Sequence, residues 1–296
     1  FLSQAFQQDD LSGVSDAGLD VLIRNQVEMT PVQRRQLLSR LRYPDYEQLP
    51  GLIAADLRTP ESAGFGEFEI HRRLTIAQLD ELAGLRPELA NDPRFVDARL
   101  LRIQPSADES PARRPAVEKA RLDRLWEYVK TLPSAFGALK ASVLFQWLQE
   151  ARTRGEYPRE EFTAYLELPR AMPYMKPEYL RDQQARGVFV DLGADFTGNL
   201  GFAPIVDDEA LVREYLEHFF LEDESYQRFS PFVQETYLKE VFAETKLLNG
   251  IGDPEQWFSM LSPVQVQELK DRVQIAFSPI NREHLTASAD VALTAT

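Results

Sequence analysis

Four short segments of this chain carry the residue pattern that begins an α-helix. In each, a Thr, Ser or Asp is followed three residues later by Gln, as in Thr30–Gln33, Thr75–Gln78, Asp253–Gln256 and Ser262–Gln265. The first side chain accepts a backbone N–H that the first turn of a helix leaves unpaired, and the Gln can reach back to the N–H of the cap. In three of the four, Pro occupies the first turn, where its missing N–H costs nothing. The pattern predicts four helix starts and hence a mainly α chain.

Apolar residues recur at helical spacing between these starts. The most regular stripe repeats in steps of four along residues 211–220, and similar stripes follow 117–132, 136–151 and 233–248. The stripes consist of Leu211, Val212, Tyr215, Leu216, Phe219 and Phe220; Val117, Leu122, Leu125, Trp126, Val129 and Leu132; Phe136, Val143, Leu144, Trp147, Leu148 and Ala151; and Val233, Tyr237, Leu238, Val241, Phe242 and Leu248. A stripe of this width requires a partner helix.

Leu-rich patterns begin at Leu38, Leu79, Leu122 and Phe162, at intervals close to 40 residues. A period of this length is typical of helix-pair repeats, which stack because one pair cannot bury its own apolar face. The predicted fold is therefore mainly α, an array of antiparallel helix pairs that resembles a helical repeat. Short β elements are predicted near 188–191 and at the C-terminus, where apolar residues alternate with polar ones.

Changes in composition divide the chain into six regions. A Pro-rich polar stretch is typical of a linker, and glycines around Val188–Val190 indicate a loop. The predicted organisation is an N-terminal helical region (1–104), a linker (105–116), central helix pairs (117–186), a Gly-rich loop (187–206), an acidic C-terminal helical region (207–272) and a β-like tail entering a following domain (273–296).

The formal net charge is −14, and it is uneven. Residues 1–150 hold 19 basic and 22 acidic side chains, whereas 151–296 hold 14 and 25. An acidic surface repels phosphate backbones and anionic lipid, so we expect neither nucleic acid nor a membrane as partner. The chain has no Cys, which excludes disulfides and thiolate ligands. No apolar run is long enough to span a membrane, and cytoplasmic and extracytoplasmic locations are both compatible with the sequence.

One helix of the acidic region carries the main candidate site. Glu214, His218 and Glu222 recur at one-turn spacing and share one side of the helix, and Asp223 and Glu224 follow directly. A carboxylate and an imidazole at this spacing could bind a metal ion, but helical metal sites use Glu-x-x-His pairs that this chain lacks. We therefore predict no cofactor, and we interpret the five residues as a possible surface for a partner with a basic patch.

No catalytic motif is present: there is no phosphate-binding loop, no dinucleotide fingerprint and no nucleophile elbow. The leading hypothesis is a non-catalytic helical module, within a larger multidomain protein, that contacts another protein or a neighbouring domain of its own chain. The alternative is an all-α enzyme, a glycan-active or other hydrolase, whose carboxylates come from separate helices. A third hypothesis is a structural spacer that holds a following β-domain.

Overall fold

The computed structural model describes residues 10–25, 27–104, 114–271, 275–277 and 293–295. The described chain is mainly α, as predicted. Its helices are α1 (Asp16–Arg24), α2 (Pro31–Arg40), α3 (Leu49–Asp56), α4 (Ile76–Leu85), α5 (Pro93–Ile103), α6 (Arg114–Val129), α7 (Gly137–Thr153), α8 (Arg159–Leu166), α9 (Pro177–Ala185), α10 (Glu209–Glu222), α11 (Glu235–Leu248), α12 (Pro254–Met260) and α13 (Pro263–Asp271). No helix in this part of the chain combines the length and apolar character needed to cross a bilayer.

The chain divides into two compact units. Unit 1 comprises Phe1–Arg170 and Gln184–Val206, and unit 2 comprises Ala171–Gln183 and Asp207–Thr296. Two short strands, β1 (Ile275–Phe277) and β2 (Leu293–Ala295), pair antiparallel with Ile275 opposite Ala295. Of the predicted linker, residues 105–113 lie outside the described part, and the rest belongs to α6, which begins at Arg114.

Three of the four predicted helix starts have the full reciprocal cap. At Thr30, Thr75 and Ser262, the hydroxyl accepts the N–H of the Gln, and the Gln side chain accepts the N–H of the cap residue. The fourth differs, because the Asp253 carboxylate accepts the N–H of Glu255 instead. The Asp253 carboxylate caps the helix by bonding only two residues ahead, without involving Gln256. The predicted helix start is therefore confirmed, but the predicted bond from the Gln back to the cap is absent there.

The apolar stripes form the core. All six residues of the 211–220 stripe are buried, and so are most of those in the other three. Leu248 is an exception at 51% exposed, because it is the last residue of α11. The stripe pattern therefore identifies the buried faces correctly except at the last residue of α11.

The helices from α5 to α7 run antiparallel to their neighbours. The Arg121 side chain of α6 bonds Gln104, at the end of α5, while Arg99 of α5 lies over the ring of Tyr128 at the other end of α6. In the same way Trp147 of α7 donates to Asp123 in the middle of α6 at 2.8 Å. A connection of only seven residues (130–136) joins α6 to α7, and a short connection forces the chain to turn back.

The pair α3–α4 runs parallel instead. The Gln78 amide, in the first turn of α4, donates to the carbonyls of Pro44 and Tyr46 just before α3, whereas Arg86 at the end of α4 donates to Ala54 near the end of α3. A long connection (57–75) carries the chain back to the starting end before α4 begins. The prediction of a uniform array of antiparallel pairs is therefore wrong for this pair.

A buried imidazole lies in the short 3-10 helix Glu69–Arg73 of unit 1. His71 is fully buried, its ring is stacked on Phe65, and its Nδ1 accepts the N–H of Gly66 at 2.9 Å. Its Nε2 finds no hydrogen-bond partner among the described residues. Burial lowers the pKa of His71 to about 4, because a charged ring would lose its hydration there.

The Gly-rich loop is held on unit 1 by single contacts rather than by a strand. Near 188–191 the structure has one bridge, between Val190 and Arg170, so the strand predicted there is reduced to a single residue pair. The buried Arg121 guanidinium donates to the carbonyl of Leu200 and lies over the ring of Phe202. A backbone carbonyl of the loop, that of Leu200, therefore pairs with a buried cation of α6. The periodicity used to predict strands does not reveal this contact.

The helices α10 and α11 of unit 2 also run parallel. Both begin at the same segment, since the Tyr174 hydroxyl donates to Asp208, the cap of α10, and the Tyr174 carbonyl accepts the N–H of Gln234, the cap of α11. At the far end, the Lys246 ammonium of α11 donates to the carbonyl of Leu221 in α10. This pair too departs from the predicted antiparallel arrangement, because a connection of twelve residues (223–234) returns to the start of α10.

Candidate protein-interaction surfaces

The five residues predicted as an interaction surface lie along the second half of α10 and just beyond it. Helix α10 ends at Glu222, Asp223 is its C-cap, and Glu224 follows. His218, Glu222 and Glu224 are exposed, whereas Glu214 and Asp223 are half-buried. These five residues are called the acidic end of α10 below. The structure therefore places all five on or next to one helix, with three of them open to solvent.

The charge of this surface has the same sign as the helix end that carries it. Unpaired carbonyls give the C-terminal end of a helix a partial negative charge, so carboxylates there are less favourable than cations. One cation is present: the Lys246 ammonium reaches the Leu221 carbonyl at 3.3 Å and lies 5.3 Å from the centre of the Phe242 ring. Lys246 itself is buried. The carboxylates of Glu222 and Glu224, by contrast, are exposed.

The one-turn spacing of Glu214, His218 and Glu222 does not produce a metal site in the described part of the chain. No group of three His, Asp or Glu side chains there is arranged to hold a metal ion. The ring of His218 lies edge-on to Phe219 at 5.7 Å between centres. The prediction that no cofactor is used stays a prediction.

Carboxylates from separate helices do converge in unit 2, but on a cation. Arg213 of α10 donates to Glu217 at 2.9 Å and to Glu244 of α11 at 2.5 Å, and lies 3.6 Å from Glu240. Burial alone would lower the pKa of Arg213, but the carboxylates of Glu244 and Glu217 raise it above its ordinary value. All three carboxylates thus face one guanidinium. The hydrolase alternative therefore gains no support from this cluster, which instead joins the two parallel helices.

A cleft of about 480 Å³ lies beside α11 in unit 2 and was not predicted. It is lined by Pro173, Tyr174, Glu209, Gln234, Thr236, Tyr237, Lys239, Glu240, Met260, Ser262 and Gln265. The Tyr237 hydroxyl is buried there and finds no partner among the described residues. Burial, reinforced by Glu209, raises the pKa of Tyr237 well above its ordinary value. Its lining comes from residues up to 92 positions apart, so no local pattern could have predicted the cleft.

A second unpredicted groove lies in unit 1, between α1, α3 and α4. It measures about 330 Å³ and is mainly apolar. Of the helices beside it, only α4 begins at a start that the sequence predicted, Thr75. The signal that could have revealed the groove is glycine at a helical position, Gly51 of α3.

Comparison with known proteins identifies the family. The model of the actin-binding protein F N-terminal domain matches residues 1–273 of this chain. The chain belongs to that family. A curated relative, actin-binding protein F of Dictyostelium discoideum, is 26% identical over 275 residues. The match covers 92% of this chain and only 11% of the relative, so the chain spans about a tenth of that protein's length. No solved structure matches the chain.

Proposed function

We propose that this chain is a protein-interaction module that binds actin, and that the acidic end of α10 is its contact surface. The family match over residues 1–273 carries the proposal, because the family and the curated relative are both named for actin binding. The match covers almost the whole of both units. Actin is thus proposed as the partner of this domain, and nothing is proposed for the remaining nine-tenths of the relative.

The electrostatics of α10 support the choice of surface. Carboxylates near the negative end of a helix each cost about 0.3–1 kcal/mol relative to neutral residues. A partner that places Lys or Arg side chains against Glu222 and Glu224 would offset that cost. Opposite charges across an interface also speed the encounter of the two proteins and select the partner. The partner surface would therefore be basic, as the sequence indicates.

Co-sedimentation of the 296-residue chain with filamentous actin tests the proposal. We expect the chain to pellet with actin, and the triple variant Glu222→Lys/Asp223→Lys/Glu224→Lys to bind about tenfold more weakly or less. Because exposed charges are screened by salt, the affinity of the unmodified chain should fall as ionic strength rises. Circular dichroism of both proteins would show that the substitutions leave the helices folded.

The matched control changes three carboxylates elsewhere by the same amount. Glu61, Glu127 and Glu160 are exposed carboxylates of unit 1, so Glu61→Lys/Glu127→Lys/Glu160→Lys should bind actin as the unmodified chain does. Equal loss in both triple variants would show that only total charge matters, and the proposed surface would be wrong. A chain that stays in the supernatant at every salt concentration would refute actin as the partner.

A further inference from the structure

The groove of unit 1 has an apolar floor and walls from four segments. It is lined by Leu22, Ile23, Val27, Met29, Gln48, Gly51, Leu52 and Glu81. Leu22 and Ile23 belong to the buried core, whereas Val27, Met29 and Leu52 are only partly covered by the rest of the chain. The partly covered side chains are the ones that a ligand could finish burying, at about 25 cal/mol for each Å² of apolar surface removed from water.

An acidic cleft adjoins the groove and shares Glu81 with it. The cleft is lined by Pro44, Asp45, Tyr46, Glu47, Thr75, Ala77, Gln78 and Glu81. Three of these residues, Asp45, Glu47 and Glu81, are exposed carboxylates. Within the described residues, none of the three makes a hydrogen bond or ion pair with a cationic side chain.

The nearest cation is already engaged. The Arg24 guanidinium bonds Asp20 at 2.8 Å and lies 5.8 Å from the centre of the Tyr46 ring. The hydrogen bond to Asp20 is the main reason why the pKa of Arg24 is raised. The apolar groove is therefore bordered on one side by negative charge that the chain itself leaves largely uncompensated.

Two of the helices that border the groove, α3 and α4, carry a glycine at an exposed position. A Cβ added at Gly51 of α3 or at Gly84 of α4 would meet no atom within 4 Å, and both residues are exposed. Packing within the chain thus does not require glycine at either position. Glycine in a helix costs roughly 0.5–1 kcal/mol relative to alanine, and it lets another backbone approach closely. Gly84 lies one turn from Glu81, so it shares the face of α4 that carries the acidic border.

Hydrogen bonds of the Gln78 side chain fix two of the segments that form the groove and the adjoining cleft. The Gln78 amide donates to the carbonyls of Pro44 and Tyr46 at 2.9 and 3.0 Å, while its oxygen accepts the N–H of Thr75. One side chain therefore fixes the start of α4 against the segment that leads into α3. A groove with fixed walls loses little entropy when a ligand binds.

We propose that this groove binds the apolar face of a basic amphipathic helix from a partner protein. Leucine-like side chains would fill the space over Gly51 and Leu52, and flanking Lys or Arg side chains would pair with Asp45, Glu47 and Glu81. Binding of this kind uses anchors at helical spacing on one side of the ligand. The inference concerns unit 1 and holds whether or not the acidic end of α10 binds actin.

Charge decides between the occupants. Residues 1–10 of this chain contain apolar side chains but no Lys or Arg, and they end with Asp9 and Asp10. They would add negative charge to an acidic border. A second copy of the chain brings a net charge of −14 and would be repelled in the same way. A basic segment from another protein is the occupant that complements both features of the groove.

A peptide titration tests the site with defined probes. The probe is a fluorescein-labelled, end-blocked 14-residue peptide of Leu and Lys, ordered so that the leucines share one helical face. We expect the 296-residue chain to raise its fluorescence anisotropy. A second peptide with the same composition but shuffled order, and a third with Glu in place of Lys, should bind about tenfold more weakly or less.

Variants of the chain separate the groove from general attraction to an acidic protein. Gly51→Leu fills the groove from an open helical position, so it should keep or raise stability while weakening the first peptide about tenfold. Glu81→Lys should weaken it severalfold, and the control Glu61→Lys should not. Equal binding by the unmodified chain and Gly51→Leu would overturn the proposal.

The other occupants give distinct results. Tighter binding of a peptide of residues 1–10 than of the Leu–Lys peptide, to a chain beginning at Leu11, would assign the groove to the chain's own N-terminus. A dimer in sedimentation equilibrium that Gly51→Leu dissociates would assign it to a second copy. Either result would overturn the basic-partner assignment, and neither depends on the outcome with actin.

Discussion

The helix pairs α6–α7 and α10–α11 have similar apolar stripes but opposite relative directions. In α6–α7 the chain turns back within seven residues, and the pair closes with Trp147 donating to Asp123. In α10–α11 the connection is twelve residues long, and the pair closes through the ion-pair cluster of Arg213. The length of the connection, and not the stripe, decides the direction. In the parallel pair the connecting segment also packs against the helices, since Phe229 of the connection contacts Phe220 of α10.

The largest effect is expected at the apolar seam of the parallel pair. The Phe220 ring contacts Phe242 of α11 at 5.0 Å between centres and Phe229 of the connection at 6.0 Å. Phe220→Ala would leave a cavity between helix, connection and partner, and we expect a loss of about 3–5 kcal/mol in the free energy of unfolding. Hydrogen exchange should show the loss of protection in α10 and α11 and much less change in α6 and α7.

The matched control is Leu248→Ala. Leu248 lies in the predicted stripe of the partner helix α11 but is 51% exposed, so its truncation should cost less than about 0.5 kcal/mol. A cost at Leu248 similar to that at Phe220 would mean that the end of α11 is covered in solution.

The stability of the two units should depend differently on acidic pH. The pKa of His71 is about 4 in the folded chain against an ordinary value of 6.5. The unfolded chain therefore binds the proton more readily, and the stability of unit 1 should be full above pH 6.5 and fall by about 3 kcal/mol as the pH drops to about 4. Because His71 belongs to unit 1 and α10 and α11 to unit 2, hydrogen exchange in those two helices should not follow this transition.

The variant His71→Gln isolates the imidazole. Its amide oxygen can still accept the N–H of Gly66, but it does not titrate. We expect the variant to be less stable at pH 7 and to have a shallower slope of unfolding free energy between pH 6.5 and 4. Parallel slopes for the variant and the unmodified chain would show that the ring is not buried as a neutral group.

Local sequence patterns predict much of this fold, and the failures share a cause. The cap residues at Thr30, Thr75 and Ser262 act within one turn, so the sequence contains all the interacting groups. The direction of α10 relative to α11 depends on Tyr174, which lies more than 30 residues before either helix cap that it bonds. The cleft beside α11 and the groove of unit 1 are likewise assembled from distant segments. The five residues of the acidic end of α10 are neighbours along the sequence, so their position on or beside one helix could be predicted, but their role as a contact surface stays a prediction.

The ion-pair cluster of α10–α11 should matter more than the polar contact of α6–α7. Arg213→Met removes a cation that bonds Glu244, whose side chain is 5% exposed. Breaking a buried ion pair costs about 3–5 kcal/mol, and partial exposure of the cluster reduces this to about 2 kcal/mol. Asp123→Asn keeps an acceptor for Trp147 and should cost about 0.5 kcal/mol, because its ion pair with Lys119 is exposed.

A second substitution checks the reason for that difference. In the double variant Arg213→Met/Glu244→Gln the buried charge is gone, so part of the stability lost in Arg213→Met should return. Denaturant unfolding of the four proteins of this cycle measures the coupling. If Glu244→Gln adds its full cost to that of Arg213→Met, the two side chains do not interact, and packing alone holds the parallel pair.

The smallest effect is expected at two tyrosines, one in each helix pair. The hydroxyls of Tyr128 on α6 and Tyr237 on α11 are both buried without a partner among the described residues. Burial raises the pKa of Tyr128 to about 12, and it raises that of Tyr237 as well. Replacing either by Phe removes a polar group whose burial is not offset, so the free energy of unfolding should stay equal or rise by up to about 1 kcal/mol.

The two substitutions differ in what surrounds the hydroxyl. Tyr128 lies under the guanidinium of Arg99, which contacts the ring and not the oxygen, so Tyr128→Phe keeps that contact. Tyr237 lies in the cleft with Glu209 and Glu240, two carboxylates whose charge helps to raise the pKa of Tyr237. Destabilisation by Tyr237→Phe alone would therefore indicate that the Tyr237 hydroxyl finds an acceptor in solution. The parallel pair would then depend on this hydroxyl, whereas the antiparallel pair would not depend on that of Tyr128.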